Sequence, residues 1–233
     1  MRSLAAILVL FTCALVLPGG QASASTSLHR GSETHFAHPS KKAPIRFGPR
    51  QSSRRITSTH FSTEDGFPEV YLALRKWTNR LGQTWVRLRI PMRPNGRIGW
   101  VRSFALGPLY RVNTKLIVNR SRGSAALYNH GRRIWKAPVG TGKQNTPTPP
   151  GNFWVREKFK TRDARGTYGP VAFGTSDYSV LTDWPGGGVI GIHGTDQPGL
   201  IPGAPSHGCI RVRNGAIRRL FQLMPVGTPI LIR

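Results

Sequence analysis

Cysteine is scarce in this sequence, with only Cys13 and Cys209 among 233 residues. Cys13 lies in an N-terminal apolar run that we expect to be removed, so the mature chain cannot form an internal disulfide. Lipid attachment at Cys13 is a weaker alternative, because Thr12 is large for such a site and the apolar run continues past the cysteine. Cys209 is then a lone thiol in a compartment that oxidises thiols readily, and its presence requires a reason.

Acidic residues are also few, since 9 Asp and Glu stand against 34 Lys and Arg and give a formal net charge of +25. An excess this large predicts a strongly anionic partner or surface. Inside a cell that partner would be nucleic acid, and outside it would be the cell wall, anionic lipid headgroups or acidic polysaccharide. A solvated basic surface with no specific role explains a small excess better than one of this size.

Long apolar runs are absent after the first 25 residues, so no later segment is expected to span a bilayer. At the start of the chain, Arg2 precedes an apolar run from Leu4 to Leu17, which a Pro-Gly-Gly break and small residues follow. This layout predicts a signal peptide over residues 1–24 and a protein secreted to the cell wall or envelope, outside the cytoplasmic membrane. An uncleaved anchor is disfavoured, because the run is shorter than the roughly 20 residues of a spanning helix.

Residues 25–66 contain few apolar side chains, too few to offset the entropy of ordering the segment. We therefore expect a basic disordered linker there. Four of the seven histidines lie in it at irregular spacing, which does not predict a metal site: His29, His35, His38 and His60.

A small β module is expected over residues 67–108. Apolar residues at 86, 88 and 90 alternate with arginines, and a turn at Asn95-Gly96 leads into a second short strand. The run TWVRLRIPMRPNGRIGWV resembles the end of a bacterial SH3-like wall-associated module. Such a module would either bind wall polymer or only pack against the next domain, and both interpretations stay open.

Residues 109–233 are expected to form one mostly β domain. Short apolar runs bounded by turn residues predict several strands, and GVIGIH at 188–193 predicts a buried one. One short helix is predicted after Cys209. Asn214 can cap it, and its apolar residues share one face: Ile217, Leu220, Phe221 and Met224.

Cys209 lies between a turn-rich segment and the predicted helix, and His193 ends the buried strand sixteen residues upstream. A thiol is a useful nucleophile only as thiolate, and from a free pKa of about 8.5 it needs a neighbouring base or positive field. His193 can serve as that base, while backbone N–H groups of Gly208 and Cys209 can form an oxyanion hole. These residues permit acyl transfer through a thioester.

Two other interpretations apply to the same residues. Cys209, His193 and His207 would offer zinc three soft ligands, fewer than the four that a structural zinc site prefers. Cys209 could also be a buried structural cysteine. However, a Ser-His-Gly-Cys run in a Gly- and Pro-rich turn, followed by Arg211 and Arg213, is a poor core segment.

The stretch IGIHGTDQPGLIPGAPSHGCIRVRN resembles the signature of the L,D-transpeptidase family, whose YkuD-type catalytic domain leads from a histidine by a short loop to Ser/Thr-His-Gly-Cys. The resemblance covers about residues 111–233, where TPTPPGNFWV is similar to the family's Thr-Pro-x-Gly-x-Phe strand entry and VGTPILIR to its closing strand. It implies a β-sandwich-like catalytic domain over residues 109–233. One departure is Arg211, which stands where the family signature often has Asn.

The resemblance implies an activity for Cys209. The thiol would attack the peptide bond before the terminal D-alanine of a peptidoglycan tetrapeptide stem, and an amine of a neighbouring stem would resolve the acyl-enzyme. His193 would act as general base and acid, with its ring oriented by the Gly194 carbonyl. Neither a metal nor an organic cofactor is implied, and carbapenem-type β-lactams would acylate the same thiol.

Supporting roles follow from the same resemblance. Gly208 would donate to the oxyanion together with Cys209, while His207 and Ser206 would support the site through hydrogen bonds. Arg211 and Asn214 are candidate substrate contacts. For Arg211 this prediction rests on chemistry more than on position, because a guanidinium suits a bidentate grip on a carboxylate.

The sequence thus predicts a secreted cysteine L,D-transpeptidase with stem peptides as substrates and anionic wall polymers that retain it by charge. Hydrolysis of the same acyl-enzyme would make it an L,D-carboxypeptidase. A non-catalytic wall-binding protein would be expected to lack the nucleophile or the base, yet both are present. Nucleic-acid binding agrees with the charge but not with the signal peptide, so no nucleic-acid partner is expected.

Overall fold

The computed structural model describes residues 23–183 and 185–233. The signal peptide predicted over residues 1–24 falls outside them except for its last two residues. Within the described ranges, the chain forms two nine-stranded sheets and one α-helix, so the fold is mostly β as predicted. No helix in these ranges is long and apolar enough to cross a membrane.

The first sheet belongs to an N-terminal body. Its strand order is β2-β3-β6-β7-β8-β4-β5, with β1 paired to β6 and β9 paired to β3. The strands are β1 (Ala24–Ser27), β2 (His29–Arg30), β3 (Glu33–Ala37), β4 (Pro44–Arg46), β5 (Arg55–Ser58), β6 (Tyr71–Thr78), β7 (Thr84–Arg89), β8 (Ile98–Arg102) and β9 (Tyr110–Val112).

The prediction of a disordered linker over residues 25–66 is wrong for this structure. Strands β3 and β4 pair with β6 and β8 of the predicted module and bury Phe36, Ala37 and Ile45. The segment therefore needs few apolar residues of its own, because it adds strands to a sheet that the later residues supply. The boundary at 108 also shifts, since β9 pairs with β3 and the N-terminal body ends at Val112.

The second sheet forms the C-terminal body, in the order β11-β10-β18-β13-β14-β15-β17-β12-β16. Strand β12 also pairs with β11, so the sheet closes on itself around a core and is β-sandwich-like as predicted. Its elements are β10 (Thr114–Asn119), β11 (Ser124–Asn129), β12 (Arg132–Gly142), β13 (Gly151–Lys160), β14 (Val171–Tyr178), β15 (Val189–His193), β16 (Gly203–Ser206), β17 (Ile210–Val212), α1 (Asn214–Leu223) and β18 (Pro229–Ile232).

Strand alternation separates the core of this body from its site. Phe173, Ile192 and Ile210 lie on the inner face and pack with Ile217 and Leu220 of α1. Because successive side chains of a strand point to opposite faces, the residues between them lie on the outer face. The sheet therefore carries an apolar core on one side and leaves its other side to the candidate site.

The two bodies are joined by buried polar contacts. Arg156 Nε donates to Glu69 Oε1 at 2.8 Å, Nη2 reaches Glu69 Oε2, and Nη1 donates to Glu64 Oε2 at 2.8 Å. Trp154 Nε1 donates to the Val70 carbonyl at 2.7 Å. Five of the nine acidic residues lie at this junction: Glu64, Asp65, Glu69, Glu157 and Asp177.

Candidate active site

The site is built on four neighbouring strands, and one residue on or next to each forms a row across the sheet, called here the cross-strand row. Glu157 of β13 pairs with Gly174 of β14, and Gly174 pairs with Gly191 of β15. Ile192 of β15 pairs with Ile210 of β17, which places Cys209 beside Gly191. Residues opposite one another across strands share a face, so Glu157 and Cys209 lie on the same side of the sheet, with two glycines between them.

Cys209 and His193 meet above Gly191. The Gly191 N–H donates to Cys209 Sγ at 3.3 Å. A Cβ atom at Gly191 would lie 3.6 Å from His193 Cδ2 and 3.8 Å from Cys209 Sγ, so the two side chains flank the space that the glycine leaves empty. The structure therefore brings together the two residues that the sequence identifies as nucleophile and base.

The His193 ring is held in one tautomer. Its Nδ1 lies 2.7 Å from the Gly194 carbonyl oxygen, and because a carbonyl only accepts, Nδ1 carries the proton of the neutral ring. Nε2 then has the lone pair that can take a proton from a thiol. The Tyr168 ring packs edge-on against His193 with centroids 4.8 Å apart and limits its rotation.

Burial keeps both reactive groups neutral at rest. It lowers the pKa of His193 to about 4, and the Arg211 cation acts in the same direction. Burial raises the pKa of the Cys209 thiol, although the Gly191 N–H and Arg211 oppose that effect. At neutral pH the pair is therefore thiol and imidazole, and the thiolate forms when His193 accepts the proton during attack.

This resting state predicts a pH profile for the alkylation of Cys209 by iodoacetamide. We expect the rate to rise continuously through neutral pH and past about pH 8.5, because the thiolate forms only above the ordinary thiol pKa. Intact-mass measurements on the mature chain would follow the adduct, with Cys209→Ala as the blank. A plateau between about pH 5 and 8, as a preformed thiolate–imidazolium pair gives, would contradict this assignment.

Hydroxyl groups fix the backbone of the Ser206–Cys209 loop. Ser206 Oγ donates to the Cys209 carbonyl at 2.6 Å and accepts the Gly208 N–H at 3.1 Å. Thr148 Oγ1 donates to the Gly208 carbonyl at 2.6 Å, and Ser179 Oγ donates to the His207 carbonyl at 3.3 Å. Ser206 thus holds the backbone at Gly208 and Cys209, and its support of catalysis stays a prediction. The Gly208 N–H is already used, so it can serve an oxyanion only by giving up the bond to Ser206.

Arg211 is placed to meet an anion. It lines a cavity of about 60 Å³ together with Cys209, His193 and the exposed His207. One Nη1 hydrogen bond joins it to Gln197 Oε1 at 3.1 Å, while its buried Nε has no hydrogen-bond partner within the described residues. The guanidinium therefore has donors available for a carboxylate.

Asn214 contacts the turn that follows His193. Its Oδ1 accepts the Thr195 N–H at 2.8 Å and packs against Gly169 and Gly194, so it fixes the turn that follows His193. It lines neither cavity beside Cys209. The prediction of Asn214 as a side-chain cap of α1 is wrong, because no side-chain cap bond forms. The contact of Asn214 with substrate stays a prediction.

A second cavity of about 290 Å³ meets the smaller one at the thiol. Cys209, His193 and Tyr168 line both. The larger cavity also contains Glu157 and, from the N-terminal body, Asp65. Substrate groups can thus approach the thiol from two sides, and no group of three or more His, Cys, Asp or Glu in the described ranges could hold a metal ion.

Sequence reasoning missed several residues of this site. Tyr168, Ser179, Asp65 and Glu157 stand outside any local motif around Cys209. Thr148 lies in the TPTPPG run that carries part of the family resemblance, and this run was the one available signal for its role.

Comparison with known proteins matches the C-terminal body. A family model described as the L,D-transpeptidase catalytic domain YkuD covers residues 113–232, beginning directly after β9. Among curated proteins, Bacillus subtilis YqjB, provisionally named an L,D-transpeptidase, is 32% identical over 124 residues, which are 50% of this chain and 69% of that protein. Bacillus subtilis YkuD, with the same provisional name, is 28% identical over 123 residues, which are 53% of this chain and 68% of that protein.

Among solved structures, the catalytic domain of an Enterococcus faecium L,D-transpeptidase determined by NMR is 27% identical. The match covers 52% of this chain and 96% of that one, with a TM-score of 0.39. A crystallised cysteine-to-serine variant of the Enterococcus faecium enzyme is 25% identical over 52% of this chain, with the same TM-score of 0.39. This chain spans about half the length of that crystallised protein, namely 49%.

Proposed function

The chain belongs to the YkuD family of L,D-transpeptidase catalytic domains, and from this premise we propose that it is a secreted enzyme that cross-links peptidoglycan stem peptides through a thioester on Cys209. The observation that carries the proposal is the meeting of Cys209 and His193 above Gly191, where two cavities join. The acyl donor extends across both cavities, with its leaving group beside Arg211 in the smaller one, and the attacking amine then enters where the leaving group has left.

The first half-reaction forms the acyl-enzyme. Cys209 Sγ attacks the carbonyl carbon before the terminal D-alanine as His193 Nε2 takes the thiol proton. The C–N bond then breaks, and His193 returns that proton to the amine of the departing D-alanine. Arg211 is placed to hold the carboxylate of this leaving group through its available donors.

The second half-reaction transfers the acyl group. A stem amine attacks the thioester carbon, the C–S bond breaks, and the thiolate receives a proton from His193, which has taken one from the amine. The new amide bond is the cross-link. If water takes the place of the amine, the same steps release a tripeptide stem instead.

The charge of the protein supports a location at the wall. A formal net charge of +25 would hold the chain to wall carboxylates and anionic wall polymers and raise its concentration near the stems. The apolar N-terminal run supports export of the chain.

The proposal is tested by intact-mass spectrometry of the mature chain with a disaccharide tetrapeptide, and separately with a carbapenem. We expect a thioester adduct on Cys209, release of D-alanine and a cross-linked dimer. A tripeptide product without dimer would assign the protein as an L,D-carboxypeptidase. If no adduct forms under reducing conditions while iodoacetamide still labels Cys209, the catalytic proposal is wrong.

A further inference from the structure

The larger cavity carries two carboxyl groups that the reaction steps above do not use. Asp65 and Glu157 line it together with Cys209 and His193. Composition alone does not predict them, since 9 acidic residues stand against 34 basic ones in this chain. The smaller cavity carries Arg211 instead, so the thiol lies between an acidic side and a basic side.

Glu157 extends toward the thiol along the cross-strand row. A Cβ atom at Gly174 would collide with Glu157 Oε1, so the carboxyl leans over β14. Cys209 Sγ accepts the N–H of Gly191 on the next strand, β15. The carboxyl therefore lies over β14 and the thiol over β15, which are neighbouring strands, and the paired residues beneath them are the glycines Gly174 and Gly191.

Asp65 reaches the same place from the N-terminal body, on a segment that is fixed at both ends. Thr63 Oγ1 donates to Glu157 Oε2, and the Phe67 ring stacks on Phe159 with centroids 5.3 Å apart. Burial, with Asp65 beside it, raises the pKa of Glu157 to about 7. Two adjacent carboxyls thus face the cavity at a point fixed by both bodies.

The carboxyl pair has no basic partner in the part of the chain that the structure describes. Within the described residues, no Lys or Arg forms an ion pair with Asp65 or Glu157, although Arg162 borders the same cavity. Glu64 and Glu69, by contrast, both pair with Arg156.

The base beside this cavity also lacks a partner. His193 is 3% exposed, and its Nε2 has no hydrogen-bond partner within the described residues. His193 lines this cavity and takes the thiol proton there, so the acyl donor passes through this space, and the two carboxyls favour a donor group with a positive charge.

We propose that Asp65 and Glu157 form the subsite for a side-chain ammonium group of the acyl donor. The inference rests on the proposed function, and it identifies the donor as a stem whose third residue, the one joined to Cys209, is a diamino acid with a free amine. The four-carbon stem of a lysine-type side chain spans the distance from the thioester to the carboxyl pair. The ammonium does not react, so its charge and its ion pairs persist through both half-reactions.

The test uses single-turnover release of D-alanine by the full mature chain. The donors are tetrapeptides whose third residue carries a free, an acetylated or a dimethylated side-chain amine. Dimethylation adds bulk but keeps the charge, so it separates charge from size. We expect the free and dimethylated donors to react about tenfold faster than the acetylated donor, as the loss of a charged hydrogen bond implies.

Substitutions at the carboxyl pair locate the effect. Glu157→Gln keeps a hydrogen-bond acceptor for Thr63, and Asp65 lies on an exposed segment, so both Glu157→Gln and Asp65→Asn should fold. Each variant should lose most of the preference for the charged donors. Glu33→Gln removes the same charge far from the site and should keep the preference. The rate of iodoacetamide labelling of Cys209 would confirm that the thiol is intact in each variant.

The outcomes separate the two proposals. Equal rates for all three donors in the wild-type chain, or an unchanged preference in both carboxyl variants, would overturn the ammonium subsite and leave the transpeptidase assignment standing. Release from no donor, with Cys209 still labelled by iodoacetamide, would overturn both.

Discussion

Replacing Cys209 by alanine is expected to abolish every acyl adduct of the protein and to lower turnover by at least about 10³-fold. Within the described chain Cys209 is the one free cysteine, and its Sγ is the nucleophile beside His193 that both cavities share. Thr161 is the one Ser or Thr among the described residues that line the larger cavity, and the Ser179 and Ser206 hydroxyls beside the smaller cavity already donate to loop carbonyls. Intact-mass spectrometry with the tetrapeptide and the carbapenem would measure the loss.

The matched control is Cys209→Ser, which keeps a hydroxyl at the same position. We expect it to remain nearly inactive, because a hydroxyl is a poorer nucleophile than a thiol and the depressed pKa of His193 makes that residue a weak base. Both variants should melt close to the wild type, since the substitution removes one weak acceptor for the Gly191 N–H. An acyl adduct on Cys209→Ala would place the nucleophile elsewhere.

The reactive centre was predictable because its residues are close in sequence. Cys209 lies in a short Ser-His-Gly-Cys run, and His193 lies at the end of an apolar strand sixteen residues before it. Asn214 shows the limit of such reasoning, because its spacing after the cysteine suggested a substrate contact or a helix cap. Which group its amide meets depends on how the turn at Thr195 packs, and sequence spacing carries no information about that contact.

Asp65 and Glu157 were not predictable from local pattern. Glu157 reaches the site only through the register of three strand pairs, and Asp65 comes from a turn between β5 and β6 of the other body. The structure of residues 25–66 was not predicted for a related reason. These residues form strands only by pairing with strands in residues 71–102, and their own composition gives no sign of this pairing. In both cases the missing information is long-range pairing.

The junction between the two bodies provides the largest expected effect on stability. We expect Arg156→Met to lower the free energy of unfolding by about 3–5 kcal/mol, because it leaves the fully buried Glu69 carboxylate without its buried guanidinium partner and with only the more exposed His60 imidazole, 3.1 Å away, in its place. For a chain of this size, that loss lowers the melting temperature by about 6–20 °C. Thermal unfolding followed by circular dichroism or calorimetry would measure the shift.

Two further variants show whether the unpaired charge is the cause. The double variant Arg156→Met with Glu69→Gln should recover much of the lost stability, since the second substitution removes the unpaired buried charge. The control Arg162→Met removes an exposed arginine and should change the melting temperature little. Burial alone would lower the pKa of Arg156, but the hydrogen bonds and the charge of the neighbouring Glu69 carboxylate together have the larger effect and raise that pKa. The ion pair therefore stays ionised, and removing one of its two members destabilises the fold. A melting temperature for Arg156→Met equal to the wild type would show that the bodies are held by their apolar contacts, with Val70 and Trp154 foremost.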